Sequence, residues 1–114
     1  MTISVASAKA KGRKLQQTVR DAIRAAFPAL DPIDVQSRPM GSAGDDVILS
    51  AAARAVFPYA VECKARAKGF TALYDYLAQA DRKDGRTPIA VVKQDRREPL
   101  VVMRLDTFIR LVKP

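Results

Sequence analysis

The stretch GDDVILSAAARAVFPYAVECK, Gly44–Lys64, decides how this chain is read. Its paired aspartates Asp45-Asp46 lead into the apolar run Val47-Ile48-Leu49-Ser50, which reads as a strand. Residues 51–58 read as a connection with one helical turn through Ala51-Ala52-Ala53-Arg54, ending before Pro58. Tyr59–Lys64 reads as a strand again. Successive side chains of a strand point to opposite faces, so Tyr59, Val61 and Cys63 face one way and Ala60, Glu62 and Lys64 the other. Cys63 thus turns toward the core as a small packing residue. As neighbouring strands, the two runs bring Asp46, Glu62 and Lys64 to one sheet edge. Two carboxylates and an ammonium there suit a divalent cation and a phosphodiester.

Working outward toward the N-terminus, residues 1–7 read as disordered, and Ala8–Phe27 as a helix. Leu15, Val19, Ala22, Ile23, Ala26 and Phe27 recur at helical spacing, Ser7 is the candidate cap and Pro28 marks the end. Lys9, Lys11, Arg13, Lys14, Arg20 and Arg24 crowd this helix against Asp21 alone. Cations near a helix start oppose its dipole, so the cluster is either a solvated face or a phosphate-contacting one. Ile33–Arg38 alternates as a short strand, and Pro39-Met40-Gly41-Ser42-Ala43-Gly44 is a small-residue loop. Its glycines lack the spacing and the following GK[ST] of a phosphate-binding loop, which argues against a nucleotide cofactor.

Toward the C-terminus, Phe70–Asp81 carries a helical stripe of Phe70, Leu73, Tyr74, Leu77 and Ala80, read as core. Ile89-Ala90-Val91-Val92 is a continuous apolar run, expected to be a strand buried on both faces. Gln94–Glu98 is a charged turn, Leu100–Met103 another strand, and Leu105, Phe108, Ile109 and Val112 mark a last helix. The expected order is α-β-β-β-α-β-β-α within one α/β domain, residues 1–114.

Composition narrows the chemistry. The 114 residues carry 20 Lys and Arg against 12 Asp and Glu, a net charge of +8, which favours nucleic acid as partner. No apolar run approaches the roughly 18 residues that span a bilayer, so no membrane partner is expected. A single cysteine forms no internal disulfide, and a cytoplasmic setting is expected. Without histidine, Ser-His-Asp triads, Cys-His nucleophiles and histidine-metal sites are excluded, and one cysteine leaves no zinc site. Metal chemistry must then use oxygen ligands, which points to magnesium or manganese. Glu62 is one of only two glutamates, and a glutamate between Val61 and Cys63 conflicts with strand propensity, as functional residues often do.

On these residues the chain resembles the PD-(D/E)xK nuclease superfamily. Asp46 before Val47-Ile48-Leu49 matches its acidic residue, and Glu62-Cys63-Lys64 its (D/E)xK. More narrowly, Lys11-Gly12-Arg13, the loop Arg38-Pro39-Met40-Gly41-Ser42 and VECKAR are similar to archaeal-type and phage Holliday junction resolvases and related small phage endonucleases. The resemblance implies a restriction-endonuclease-like αβββαβ core over roughly residues 9–104, with a mixed central sheet flanked by helices. It further implies a magnesium-dependent endodeoxyribonuclease, with manganese able to substitute, acting as a homodimer on branched DNA and leaving a 5′-phosphate. Asp46, Glu62 and the Cys63 carbonyl would hold the metal, and Lys64 would orient or help deprotonate the attacking water. The proline-aspartate of the family's name is absent, and Asp45 is the alternative to Asp46. Where many resolvases have a glutamate in the first helix this chain has Gln16 and Gln17, and Gln17 is the candidate to hold a metal-bound water. Ser42 matches a loop serine of resolvases and equally suits a plain turn; Gln79 and Lys93 are weaker supporting candidates. Lys9, Lys11, Arg13, Lys14, Arg38, Arg66, Lys68, Arg96 and Arg97 would hold the DNA backbone. Tyr59, Phe57 and the last helix are candidate dimer surfaces. The alternatives are a nuclease for flaps, ends or duplex DNA, and a non-catalytic basic DNA-binding module.

Overall fold

The computed structural model describes residues 4–114. It is a small α/β fold with elements in the order α1 (Val5–Ala26), a 3-10 turn (Pro32–Asp34), β1 (Val35–Ser37), β2 (Val47–Leu49), α2 (Ala51–Val56), α3 (Thr71–Ala80), β3 (Ala90–Val92), β4 (Leu100–Val102) and α4 (Leu105–Val112). The chain forms two compact units, Met1–Arg66 with Val112–Pro114, and Ala67–Leu111.

In the first unit α1 begins earlier than its apolar pattern predicts. Ser4, not Ser7, is the cap: its hydroxyl accepts the Ser7 N–H at 3.1 Å, satisfying a donor the first turn leaves over. Residues 5–7 are therefore helical, correcting the expected disorder there, while residues 1–3 lie outside the described residues. The inward stripe of α1 is Gln16, Val19 and Ile23, continued by Phe27, where the helix closes with Phe27 N–H on the Ile23 carbonyl. Arg24 reaches from α1 to the carbonyls of Val35 (3.0 Å) and Pro32 (2.8 Å), fixing the start of β1.

β1 and β2 pair antiparallel, with Val35 opposite Leu49, Gln36 opposite Ile48 and Ser37 opposite Val47. Ser50 serves two elements: its hydroxyl donates to Asp34 Oδ1 at 2.7 Å and accepts the Ala53 N–H at 3.1 Å as the cap of α2. Val19, Ile23 and Phe27 of the first helix close a core with Val35, Val47, Ala53 and Phe57. The Phe57 ring, 1% exposed, meets Phe27 and Tyr59 edge-on at centroid distances of 6.1 and 4.9 Å.

Two strand expectations change here. Residues 59–64 run on from β2 and α2 without joining a ladder. Pro58 offers no N–H, and the Cys63 N–H is taken by a side-chain carboxylate, so the two strands gain no third member. The expected mixed central sheet is replaced, among the described residues, by two separate two-stranded antiparallel sheets.

The second of these, in the second unit, pairs Ala90 with Val102, Val91 with Val101 and Val92 with Leu100. Its turn closes through Arg97 N–H on the Gln94 carbonyl, with Arg96 at φ 66. The expected burial of β3 on both faces does not hold: Ala90 is buried, whereas Val91 is 65% exposed. A two-stranded sheet has one face against α3 and one left over. The α3 stripe likewise leaves Tyr74 exposed, and Leu73 and Leu77 line an open apolar cavity of about 730 Å³ with Val102 and Leu105 rather than a closed core.

Candidate active site

Asp46 is the residue around which the first unit's polar groups converge. It stands at the head of β2, where Ser37 and Val47 face each other and the Arg38 N–H donates to the Asp46 carbonyl at 3.0 Å. From there Asp46 reaches the segment that carries Glu62 and Lys64. Its own N–H donates to the Val61 carbonyl at 3.3 Å, and its Oδ2 accepts the Cys63 N–H at 2.6 Å. A short bond from an amide to an ionised carboxylate is among the stronger hydrogen bonds, and it fixes this carboxylate against the middle residue of Glu-x-Lys. Asp45 is exposed, with its carbonyl accepting from Arg38, and of the two aspartates it is Asp46 that meets Glu62-Cys63-Lys64.

The segment 61–65 keeps the alternation expected of an extended chain. Val61, Cys63 and Ala65 are half-buried and Glu62 and Lys64 exposed. The Glu62 carboxylate and Lys64 ammonium approach to 3.5 Å with side chains 66% and 73% exposed. So open a pair holds its partners weakly, leaving both groups mobile in water. Cys63 lies between the two acids. Burial first, then the charges of Asp46 and Glu62, push its thiol above the ordinary 9.0, so it stays protonated near neutrality.

Gln16, named from the sequence beside Gln17 but passed over in its favour, is the inward-facing one of the two. It is 6% exposed and accepts the Ser37 hydroxyl at 3.0 Å, one ladder position from Asp46. The signal was present: Gln16 precedes Val19 and Ile23 by three and seven residues and so shares their stripe. Gln17, chosen from the sequence, is half-buried beside it. Ser42 closes its own turn, its hydroxyl donating to the Pro39 carbonyl at 2.8 Å, as a turn residue does.

The cations fall into two sets. Arg20 pairs with Asp21 at 2.9 Å and Arg24 binds backbone, so both serve the fold. Lys9, Lys11, Arg13 and Lys14 are exposed on the first half of α1 and form no salt bridge among the described residues. Arg38 is half-buried, its Nε donating to the Asp45 carbonyl at 2.6 Å. Arg66 is exposed at the end of the first unit; Lys68, Arg96 and Arg97, also exposed, belong to the second unit, as do Gln79 and Lys93.

The ligands expected from the sequence, Asp46, Glu62 and the Cys63 carbonyl, are hard oxygens, suited in kind to magnesium or manganese. Among the described residues no group of three or more Asp, Glu, Cys or His side chains is placed to hold a metal ion. Nor, among those residues, is any helix long and apolar enough to cross a membrane. No family model, curated protein or solved structure matches this chain.

Proposed function

We propose that this chain is a metal-dependent endodeoxyribonuclease of the PD-(D/E)xK type, selective for branched DNA and working as a homodimer. The observation that carries the reading is the 2.6 Å bond from the Cys63 N–H to Asp46 Oδ2. It joins the acidic residue and the Glu-x-Lys motif, which the sequence separates, into one arrangement. The helix followed by an antiparallel strand pair and an extended third segment is compatible with the first half of the superfamily core.

Asp46, Glu62 and the Cys63 carbonyl are the groups that would hold magnesium, with water and phosphate oxygens filling the shell. The ion supplies neutralisation of the phosphate and acidification of a bound water. The chain's own residues do the rest. The Cys63 amide keeps the Asp46 carboxylate aimed. Lys64, its ammonium only loosely held by Glu62, orients the water that attacks phosphorus. The P–O3′ bond breaks, and the departing 3′ oxygen takes a proton, giving a 3′-hydroxyl and a 5′-phosphate. Lys9, Lys11, Arg13 and Lys14 would hold backbone phosphates without reading sequence.

Purified protein with magnesium should cut four-way junctions faster than flaps or linear duplex, and Glu62→Ala should abolish cutting while leaving junction affinity intact. Undiminished cutting by Glu62→Ala sinks the site, and equal rates on all three substrates sink the branched-DNA preference. The missing third acidic ligand favours one competing reading, a basic DNA-binding module without catalysis. That module would bind DNA in a salt-sensitive way, with no response to magnesium and no cleavage.

A further inference from the structure

We infer that Arg38 is a positioning residue that clamps the Gly44-Asp45-Asp46 turn and so sets the Asp46 carboxylate, rather than a phosphate contact. Three observations meet on this residue. Its backbone N–H donates to the Asp46 carbonyl at 3.0 Å. Its Nε donates to the Asp45 carbonyl at 2.6 Å. Its guanidinium lies against Gly44, where an added Cβ would stand 2.6 Å from Cζ and from Nη2. One residue thus holds three consecutive ones.

Gly44 is favoured here because its φ of +119° is one that side chains rarely adopt, and a Cβ at this place would push the Arg38 guanidinium aside. On the far side the same turn is tied to the Glu62 segment through Asp46 N–H to Val61 and Cys63 N–H to Asp46. Asp46 is therefore held between two supports, β1 through Arg38 and residues 61–63. Loss of the Arg38 side chain leaves the turn tied to β1 by the Arg38 backbone N–H alone, and the carboxylate held only by the Cys63 amide. A guanidinium suits this work, because its Nε donates to a carbonyl along a fixed planar fork, which an ammonium does not.

Hydrogen exchange of the Cys63 amide in the 114-residue chain reads the clamp directly and needs no cleavage. Arg38→Met keeps the apolar stem and removes the donors; Cys63 protection should fall about tenfold while the α1 amides are unchanged. Arg38→Lys should restore little of it. Gly44→Ala, which displaces the guanidinium, should cause a similar loss, and Arg38→Met combined with Gly44→Ala should be no worse than Gly44→Ala alone. The inference is overturned if Arg38→Met leaves Cys63 protection unchanged, or if the two losses simply add. It is overturned equally if Arg38→Met lowers the salt dependence of DNA binding by about one phosphate contact and Arg38→Lys restores it. A catalytic consequence rests on the nuclease reading: Arg38→Met should raise the magnesium needed for half-maximal cleavage several-fold at unchanged junction affinity. If the unaltered protein cuts nothing, the nuclease reading fails while the exchange result still decides the clamp.

Discussion

Replacing Asp46 separates its two roles, because alanine and asparagine remove different things. Asp46→Ala deletes the acceptor of the 2.6 Å bond and leaves the half-buried Cys63 N–H without its partner. A hydrogen bond to a charged group contributes about 1.5–3 kcal/mol, and partial access of water to both residues lowers this to about 1–2 kcal/mol. Asp46→Asn keeps an oxygen for the same amide and gives up only the charge, so its cost should stay below about 1 kcal/mol. Urea denaturation followed by far-ultraviolet circular dichroism should order the proteins as unaltered, then Asp46→Asn, then Asp46→Ala. Magnesium-dependent junction cleavage should order them differently, with both variants inactive, because asparagine gives up the negative charge that a carboxylate brings to a hard cation. Asp46→Ala matching the unaltered protein in stability would refute the Cys63 bond. Asp46→Asn cutting at the unaltered rate would refute the carboxylate as a metal ligand and leave the bond as its whole function.

Three further outcomes are expected. Phe57→Ala empties the centre of the first unit's core, where the ring is 1% exposed between Phe27 and Tyr59, and should cost about 3–5 kcal/mol in the same denaturation measurement. Alkylation of Cys63 by iodoacetamide should lag well behind an exposed thiol near pH 8 and accelerate in Glu62→Gln, since burial and then the Asp46 and Glu62 charges raise this thiol. The sign follows for stability: a thiol held protonated in the fold contributes fully below the unfolded chain's thiol pKa, and that contribution is lost as pH rises through the raised folded value. Exchanging Lys9, Lys11, Arg13 and Lys14 for glutamine should flatten the logarithmic salt dependence of duplex binding by up to about 0.9 per residue while leaving thermal stability nearly unchanged; an unchanged slope removes this helix from the DNA surface.

Periodicity was the part of the fold most legible from sequence. The helical spacing of Val19, Ile23 and Phe27 and the apolar runs at Val47–Leu49 and Leu100–Val102 became the elements they suggested, because i to i+4 and i to i+2 neighbours set those patterns locally. The alternation across Glu62, Cys63 and Lys64 was legible for the same reason. Ladder membership was not. Residues 59–64 have the composition of a strand, yet whether their amides meet a neighbouring backbone or a carboxylate depends on a partner 17 residues earlier. Ile89–Val92 misled in another way: a continuous apolar run says that both faces are apolar, not that both are covered.

The sequence by itself determined the chemistry available to this protein. With no histidine and one cysteine, metal-assisted work must fall to oxygen ligands, and the basic excess suits a polyanion. The tertiary structure decided which way the candidate residues face. It set Asp46 rather than Asp45 against Cys63, put Gln16 rather than Gln17 on the inward face, and turned Arg38 onto its own loop. Neighbours in sequence have nearly the same composition and local propensity. What separates them is the direction a side chain takes once the chain closes, and that is fixed by hydrogen-bond partners far away along it.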